Sequence, residues 1–340
     1  MLPAAANQAP PSDVLAALRR LHLIDAAEQP ALIPLSGGVS SDIWRVDAAR
    51  GIWCIKRALA KLKVQQDWRA PVSRSRNEYD WIATAGRIVP QAAPELAGYD
   101  AEAGLIVMRF YDPAHYPLWK AELAAGRADP RMAAAVGDTI GRIHAGTAGD
   151  PAIAARFATD DIFHAIRLDP YLGATAQAHP ELATRLEHLA AATAATKRAL
   201  VHGDVSPKNI LLGPEGPMFL DAECAWYGDP AFDLAFCLNH MLLKCLWVPD
   251  AASRYLASFA ALVGAYRDRV VWEPVADLER RTAHLLPGLF LARVDGKSPV
   301  EYIKADTDKD RVRRVATRLL RQPVDRLASV AAAWREEIGA

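Results

Sequence analysis

A change of hydrophobic period near residue 112 restricts the fold of this chain more than any other feature. Before it, short apolar runs are divided by turn residues. Beyond Asp112-Pro113, long Ala- and Leu-rich stretches carry apolar residues at helical spacing, as in Met132, Val136, Ile140 and Ile143. The switch predicts an α+β chain in two lobes. Residues 1–111 should form an antiparallel sheet with one main helix, and residues 112–340 a mainly helical unit. With 340 residues, 51% of them hydrophobic, both can bury a core.

Within the first lobe, a loose Ala- and Pro-rich leader at 1–12 ends at Ser12, which can cap a helix with Val14, Leu15, Leu18 and Leu21 on one face. Strands are expected at 31–35, 42–46 and 52–56, divided by Ser36-Gly37-Gly38 and by a turn from Asp47 to Gly51. A helix at 73–84 follows, then strands at 95–98 and 104–108 joined by Tyr99-Asp100. In the second lobe, strand-like runs at 209–212 and 218–220 interrupt the helices. Residues 308–339 read as two helices broken at Gln322-Pro323.

Forty basic and forty acidic residues leave no net charge, so the broad attraction on which nucleic-acid binding rests is missing. No nucleic-acid partner is expected. The local run of Arg311, Arg313, Arg314, Arg318 and Arg321 reads as a solvated helix face. Cys54, Cys224, Cys237 and Cys245 lack the close spacing of a zinc knuckle or redox motif and read as reduced thiols. Residues 1–12 have neither the basic leader nor the apolar core of a signal peptide. No later run reaches the roughly 18 apolar residues of a membrane span. A cytoplasmic protein without a membrane partner is expected.

The chemistry concentrates in Val201-His202-Gly203-Asp204-Val205-Ser206-Pro207-Lys208-Asn209-Ile210-Leu211-Leu212, followed after a Gly/Pro-rich turn by Met218-Phe219-Leu220-Asp221. A loop presents one carboxylate and, five residues on, an amide; a short hairpin then returns a second carboxylate to the same place. Phosphoryl transfer needs such a set: a group to orient or accept the proton of an attacking hydroxyl, and oxygen donors to hold Mg²⁺ against phosphates. Asp204 suits the first role, Asn209 and Asp221 the second. His202 is read as a brace for the loop, not a catalyst. Each residue alone is an ordinary loop acid or amide; the pattern His-x-Asp-x-x-x-x-Asn with a following hairpin and Asp is specific.

With its continuation Asp221-Ala222-Glu223-Cys224-Ala225-Trp226-Tyr227-Gly228-Asp229-Pro230-Ala231-Phe232-Asp233, the segment resembles the protein-kinase-like phosphotransferases, within them the aminoglycoside phosphotransferase and choline kinase branch. Neither Asp-Phe-Gly nor a long activation segment is visible, so the resemblance implies a small-molecule hydroxyl substrate and ATP with Mg²⁺, not a protein acceptor. Asp229 and Asp233 are read as caps and loop braces. By the same resemblance, Ser36, Gly37, Gly38 and Ser40 lie where a loop covers the phosphates. Lys56 stands where the phosphate-binding lysine is found, with Glu78 as its partner; Lys61 and Lys63 lie past the strand. Adenine would meet the linker backbone at the Arg109 carbonyl and the Tyr111 amide, with Met108 at the rear of the pocket.

Islands between residues 32 and 303 are similar to methylthioribose kinases: Ile55-Lys56-Arg57-Ala58-Leu59 with Trp68, Arg74 and Glu78; Arg167-Leu168-Asp169-Pro170-Tyr171; Glu223 to Gly228; and Leu238-Asn239-His240-Met241-Leu242-Leu243. That group commonly has a His-Thr-Gly-Ser type sequence after its catalytic Asp, whereas this chain has Val205-Ser206-Pro207-Lys208-Asn209. The resemblance implies a sugar or sugar-like acceptor, with Glu223, Arg293 and Asp295 as candidate substrate contacts. Arg293 has a second reading, as a helix C-terminal cation before Asp295-Gly296. Alternatives are an aminoglycoside kinase, a choline-type kinase with Trp226, Tyr227 and Trp247 as an aromatic cage, or a nucleotide-binding scaffold without activity. The pattern leaves the oligomeric state open.

Overall fold

In the computed structural model, which describes residues 12–35, 41–59 and 71–340, alternation along the strands sorts side chains onto two faces of a sheet. Among these residues β1 (Leu32–Pro34), β2 (Ser41–Ala48), β3 (Gly51–Ala58), β4 (Leu96–Asp100) and β5 (Leu105–Arg109) pair antiparallel in the order β1-β2-β3-β5-β4. Val46, Ile55, Leu105 and Val107 face outwards and are covered by Val14, Leu15 and Leu18 of α1 (Ser12–Arg20). Ile106 and Met108, one residue out of phase, join Trp81, Ile82 and Ala85 of α2 (Arg74–Ile88) in a second core that continues through the rest of the molecule. Lys56 follows Ile55 and so lies on the α2 side.

Most expected elements are present, with shifted ends. Ser12 is the first residue of α1, not a cap before it, and α2 runs four residues past the expected end. Tyr99 and Asp100 do not form the turn between β4 and β5. They complete β4, and the reversal falls at residues 101–104, where Gly104 supplies φ +63°. The Asp100 carboxylate holds that turn by accepting from the Ala103 amide at 2.8 Å and from Arg20 of α1 at 2.8 and 2.9 Å.

The second lobe contains α3 (Trp119–Ala124), α4 (Pro130–Thr147), α5 (Pro151–Arg156), α6 (Asp160–Phe163), α7 (Ala174–Ala178) and α8 (Ala183–Ala195). A π-helical stretch, His164–Gly173, joins α6 to α7 and contains Pro170. After two short hairpin-like pairings come α9 (Ala231–Trp247), α10 (Ala252–Arg267), α11 (Val275–Asp295), α12 (Asp306–Arg321) and α13 (Leu327–Ile338). The last two are separated at Gln322-Pro323, as expected. Residues 231–246 of α9 are all buried, so this helix is the axis around which the others pack. Beside it, α4 and α10 approach so closely that a Cβ on Gly137 would lie 2.3 Å from the Leu262 carbonyl oxygen.

The pairings are β6 (Ala199–Val201) with β9 (Trp226–Gly228), and β7 (Ile210–Gly213) with β8 (Gly216–Phe219), both antiparallel. Trp81 of α2, fully buried, reaches across the lobes to His202 and Phe219 with ring centroids 4.7 and 6.3 Å apart. Truncating it to alanine would cost about 3–5 kcal/mol. Among the described residues no helix is long and apolar enough to cross a membrane.

Candidate active site

The loop after β6 is fixed from below by α9. Asp233, in the first turn of that helix and fully buried, accepts from the His202 and Gly203 amides, each at 2.7 Å, and lies 3.2 Å from His144 Nε2. Gly203 has φ +79°, and a Cβ there would stand 2.8 Å from Cys224 Sγ, so the turn admits only glycine. His202 Nδ1 accepts from the Asp204 amide at 3.1 Å, while its Nε2 has no hydrogen-bond partner and the ring meets Trp81 edge-on. Burial holds this imidazole below its ordinary pKa, hence neutral. Asp229 accepts from the Ala231 amide at 3.0 Å and pairs with Arg281.

That scaffold presents Asp204, whose two oxygens differ. Oδ2 lies 3.0 Å from Arg167 Nη2 and 3.1 Å from Lys208 Nζ; Oδ1 is buried with no hydrogen-bond partner. Burial disfavours the charged form, but Lys208 and Arg167 outweigh it and hold the carboxyl well below the usual carboxylate range. Arg167 reaches the loop from the π-helical stretch and also donates to the Gly203 carbonyl oxygen. Asn209 closes a single 3₁₀ turn. Its Nδ2 donates to the Asp204 carbonyl at 3.1 Å, and its own carbonyl accepts from the Leu220 amide at 2.8 Å. The β7–β8 hairpin thereby returns to the loop and delivers Asp221, which has φ +68°. Asp tolerates this left-handed conformation better than most residues with a Cβ.

Lys56 joins the two lobes here. Its ammonium lies 2.6 Å from Glu78 Oε2 and also hydrogen-bonds Asp221 Oδ1. Burial alone would lower its pKa; Asp221, Glu78 and Glu223 outweigh that and raise it. Asp221 is lowered, against burial, by Lys56 and Lys208, and Glu78 is raised by burial with Asp221 nearby. One ammonium thus serves two carboxylates, and a further cation would be welcome. Glu223 is bound to fully buried Arg74, whose Nε donates to Oε2 at 2.9 Å.

Asp204, Asn209, Asp221, Lys56 and Glu78 are therefore brought together, with Glu223 beside them. Ser36, Gly37, Gly38 and Ser40 lie outside the described residues. Met108 is buried within β5, opposite Cys54. The Arg109 and Phe110 amides bond the carbonyls of Glu95 and Ile52, whereas among the described residues the Tyr111 amide donates to no protein group. A groove of about 520 Å³ includes Arg109 and Tyr111, but none of Lys56, Asp204, Asn209 or Asp221 lines it. Arg293 is buried beside Tyr171, with Nη1 3.1 Å from the hydroxyl. Asp295 does not join the cluster: its carboxylate is held by His179 at 2.8 Å and by Arg313 at 2.6 Å, tying α11 to α12. Trp226 stacks on Phe163 at 4.2 Å and forms no cage with Tyr227, whose hydroxyl donates to the Arg198 carbonyl.

Asn209 and Asp221 supply one amide and one carboxylate. Among the described residues no group of three or more His, Cys, Asp or Glu side chains is placed to hold an ion. Two oxygen donors are too few for an all-protein cage, but they fit Mg²⁺, which keeps waters and takes phosphate oxygens as ligands.

Comparison with known proteins places these residues in a family. The model of the phosphotransferase enzyme family matches residues 31–275. A methylthioribose kinase of Yersinia enterocolitica is 26% identical over 227 residues, 58% of this chain and 56% of that protein. The chain thus spans about half the length of the curated relatives it matches. Among solved structures, a choline/ethanolamine kinase family protein from Mesorhizobium loti superposes with a TM-score of 0.51 at 18% identity, covering 95% of this chain and 99% of that one. The amicoumacin kinase hAmiN, solved with AMP-PNP, Ca²⁺ and Ami, gives 0.52 at 14% identity, covering 93% and 97%. These likenesses show the two-lobed, protein-kinase-like fold expected from the sequence.

Proposed function

The chain belongs to the phosphotransferase enzyme family, and from that premise we propose that it transfers the γ-phosphoryl group of Mg-ATP to a hydroxyl of a small molecule, a sugar or sugar-like metabolite. The observation that carries this reading is the asymmetry of Asp204. One oxygen is anchored by Arg167 and Lys208, and the other is buried and unpartnered. A carboxylate held this way is ionised, fixed in direction, and has a lone pair left for a hydroxyl proton. Its lowered basicity suits orienting the acceptor and taking the proton late, as the new O–P bond forms and the bond from the γ-phosphorus to ADP breaks.

Lys56, positioned by Glu78, is the cation for the α- and β-phosphates. Asn209 and Asp221 would hold magnesium, which when bound offsets the charge that develops on the phosphate oxygens. By the sequence resemblance, the phosphates are assigned to the segment with Ser36, Gly37, Gly38 and Ser40, and adenine to the Arg109 carbonyl and Tyr111 amide, with Met108 behind. The relatives named methylthioribose kinase support a sugar-like acceptor.

The test is ADP release across sugars, sugar acids, amino alcohols and aminoglycosides. Asp204→Asn should lower kcat by ~10²–10⁴ with the KM for ATP changed only a few-fold. Turnover equal to wild type in that variant would remove Asp204 from the chemistry.

A further inference from the structure

A helix buried on every side should be apolar throughout, yet one face of α9 carries Asp233, Phe236, His240, Lys244 and Trp247 at spacings of three and four. Asp233 is engaged by the catalytic loop. Lys244 is not so engaged. It is 1% exposed, and among the described residues its ammonium meets no carboxylate and no hydrogen-bond acceptor, lying instead 4.4 Å over the Trp247 ring and 4.5 Å over the Tyr302 ring. Burying an unpaired ammonium is costly, and two aromatic faces offset only part of that cost. Burial and Lys120, with a smaller effect of Arg293, outweigh Glu301 and bring its pKa down to about 7.

Two neighbours share the condition. His240 Nδ1 lies 3.3 Å from the Tyr302 hydroxyl, and its Nε2 is buried without a partner. Arg293 uses Nη1 on the Tyr171 hydroxyl and the Ser298 carbonyl, and its Nε is likewise buried without a partner. The nearest acids are committed: Asp295 to His179 and Arg313, and Glu301 to Lys120.

The group is continuous with the candidate active site. Arg167, which holds Asp204, lies over Phe236 at 5.9 Å; Phe236 meets His240 at 5.9 Å and Tyr171 at 5.3 Å, and Tyr171 meets Arg293. Along this path Arg167 and Lys208 both pair with Asp204, while among the described residues Arg293 and Lys244 form no ion pair and feel only Glu301, which is itself paired with Lys120. A polyamine or a choline-like acceptor would meet like charge here, and the Trp247 face that a quaternary ammonium would seek already carries Lys244.

We propose that the acceptor is a hydroxylated oxyanion, a sugar acid or a sugar phosphate, whose charged group is bound by Lys244, Arg293 and His240 while its hydroxyl faces Asp204. The proposal rests on the kinase reading and adds the chemical class of its substrate. Buried donors without acceptors call for a ligand oxygen, and a charged oxygen offsets the unpaired ammonium and guanidinium as a neutral hydroxyl does not. The transfer balances as before: the acceptor oxygen bonds the γ-phosphorus, its proton passes to Asp204, and ADP leaves.

Binding and turnover are measured separately on the full chain. With Mg-ADP saturating, so that the nucleotide phosphate site is filled, calorimetry compares ribose 5-phosphate with ribose and gluconate with glucose. At least one anion should bind ten-fold or more tightly than its neutral counterpart; the pair that discriminates identifies phosphate or carboxylate as the preferred group. Lys244→Met and Arg293→Met should each weaken that binding at least ten-fold. Lys244→Met should also unfold at no lower temperature than wild type, since it removes a buried unpaired charge, which excludes misfolding as the cause. Equal binding of charged and neutral members, preference for choline or spermidine, or anion binding unchanged in both variants would overturn the proposal. Anion binding that depends on Lys244, without any phosphate transfer to the bound compound from ATP, would count against the kinase reading and leave the oxyanion site standing.

Discussion

Asp233 offers a direct test of how the Asp204 loop is held. Its carboxylate is fully buried and accepts two amides at 2.7 Å. Hydrogen bonds to charged groups contribute about 1.5–3 kcal/mol each. Asp233→Ala removes both acceptors and leaves two amides buried without partners, a loss of about 3–6 kcal/mol, a large share of the roughly 5–15 kcal/mol that stabilises an ordinary domain. Asp233→Asn is the more informative change. Its amide oxygen still accepts one bond, but its NH₂ faces the second amide, donor against donor. The expected cost is about 2–3 kcal/mol, read as a lower urea midpoint at unchanged slope. Because these amides set the direction of Asp204, a loop displaced by about 1 Å should also lower kcat about 10²-fold. Wild-type stability with wild-type turnover in Asp233→Asn would refute the reasoning. Lost stability with full turnover would show instead that Asp204 is positioned by Arg167 and Lys208 alone.

Three further outcomes are expected. Asp221→Gly suits φ +68° and should be about 1 kcal/mol more stable than Asp221→Ala, while both lose Mg-dependent ATP affinity by calorimetry; equal stability would deny strain at this residue. Gly137→Ala places a methyl 2.3 Å from the Leu262 carbonyl and should destabilise by about 1–3 kcal/mol through separation of α4 and α10, measured by urea unfolding. Lys244 has its folded-state pKa lowered to about 7 from 10.5, so the unfolded chain binds more protons between those values. Its destabilising effect is full below pH 7 and fades as pH rises to about 10. The stability advantage of Lys244→Met should shrink over the same window in urea titrations run pH by pH; an advantage that does not change with pH would show that Lys244 has the same pKa folded and unfolded.

What the sequence discloses here follows from distance along the chain. Asp204, Asn209 and Asp221 are legible because the loop and hairpin that unite them are consecutive, and Lys56 only through the resemblance, since a lysine at a strand end is by itself an ordinary solvated one. Glu78 follows from the position of α2. The Arg74–Glu223 pair joins residues 149 apart, and Arg167 and Lys208 converge on one oxygen only through the folded lobe. At three residues each, β6 and β9 are too short to show alternation. The shifted β4–β5 turn has a local cause, since Gly104 was the residue able to reverse the chain, not Tyr99-Asp100. Asp233, expected as a loop brace, does brace the His202–Gly203 loop, whereas His240 and Lys244, four residues apart in a run otherwise suited to a core, carry a signal that only the buried helix makes plain.

The π-helical stretch makes the surroundings of Asp204 sensitive to chain length more than to composition. From it Arg167 meets Asp204 and, four residues later, Tyr171 meets Arg293. A π-turn is an α-helix with residues added, and each residue of an α-helix turns the chain by about 100°. Deleting a single residue from His164–Gly173 would let the segment tighten and swing one of these side chains away from its partner, with every other residue retained. A one-residue change in the length of this stretch would therefore move the Arg167 or the Tyr171 contact while leaving the Asp204 loop and the β7–β8 hairpin unaltered, so that length, and not side-chain identity alone, fixes what meets Asp204.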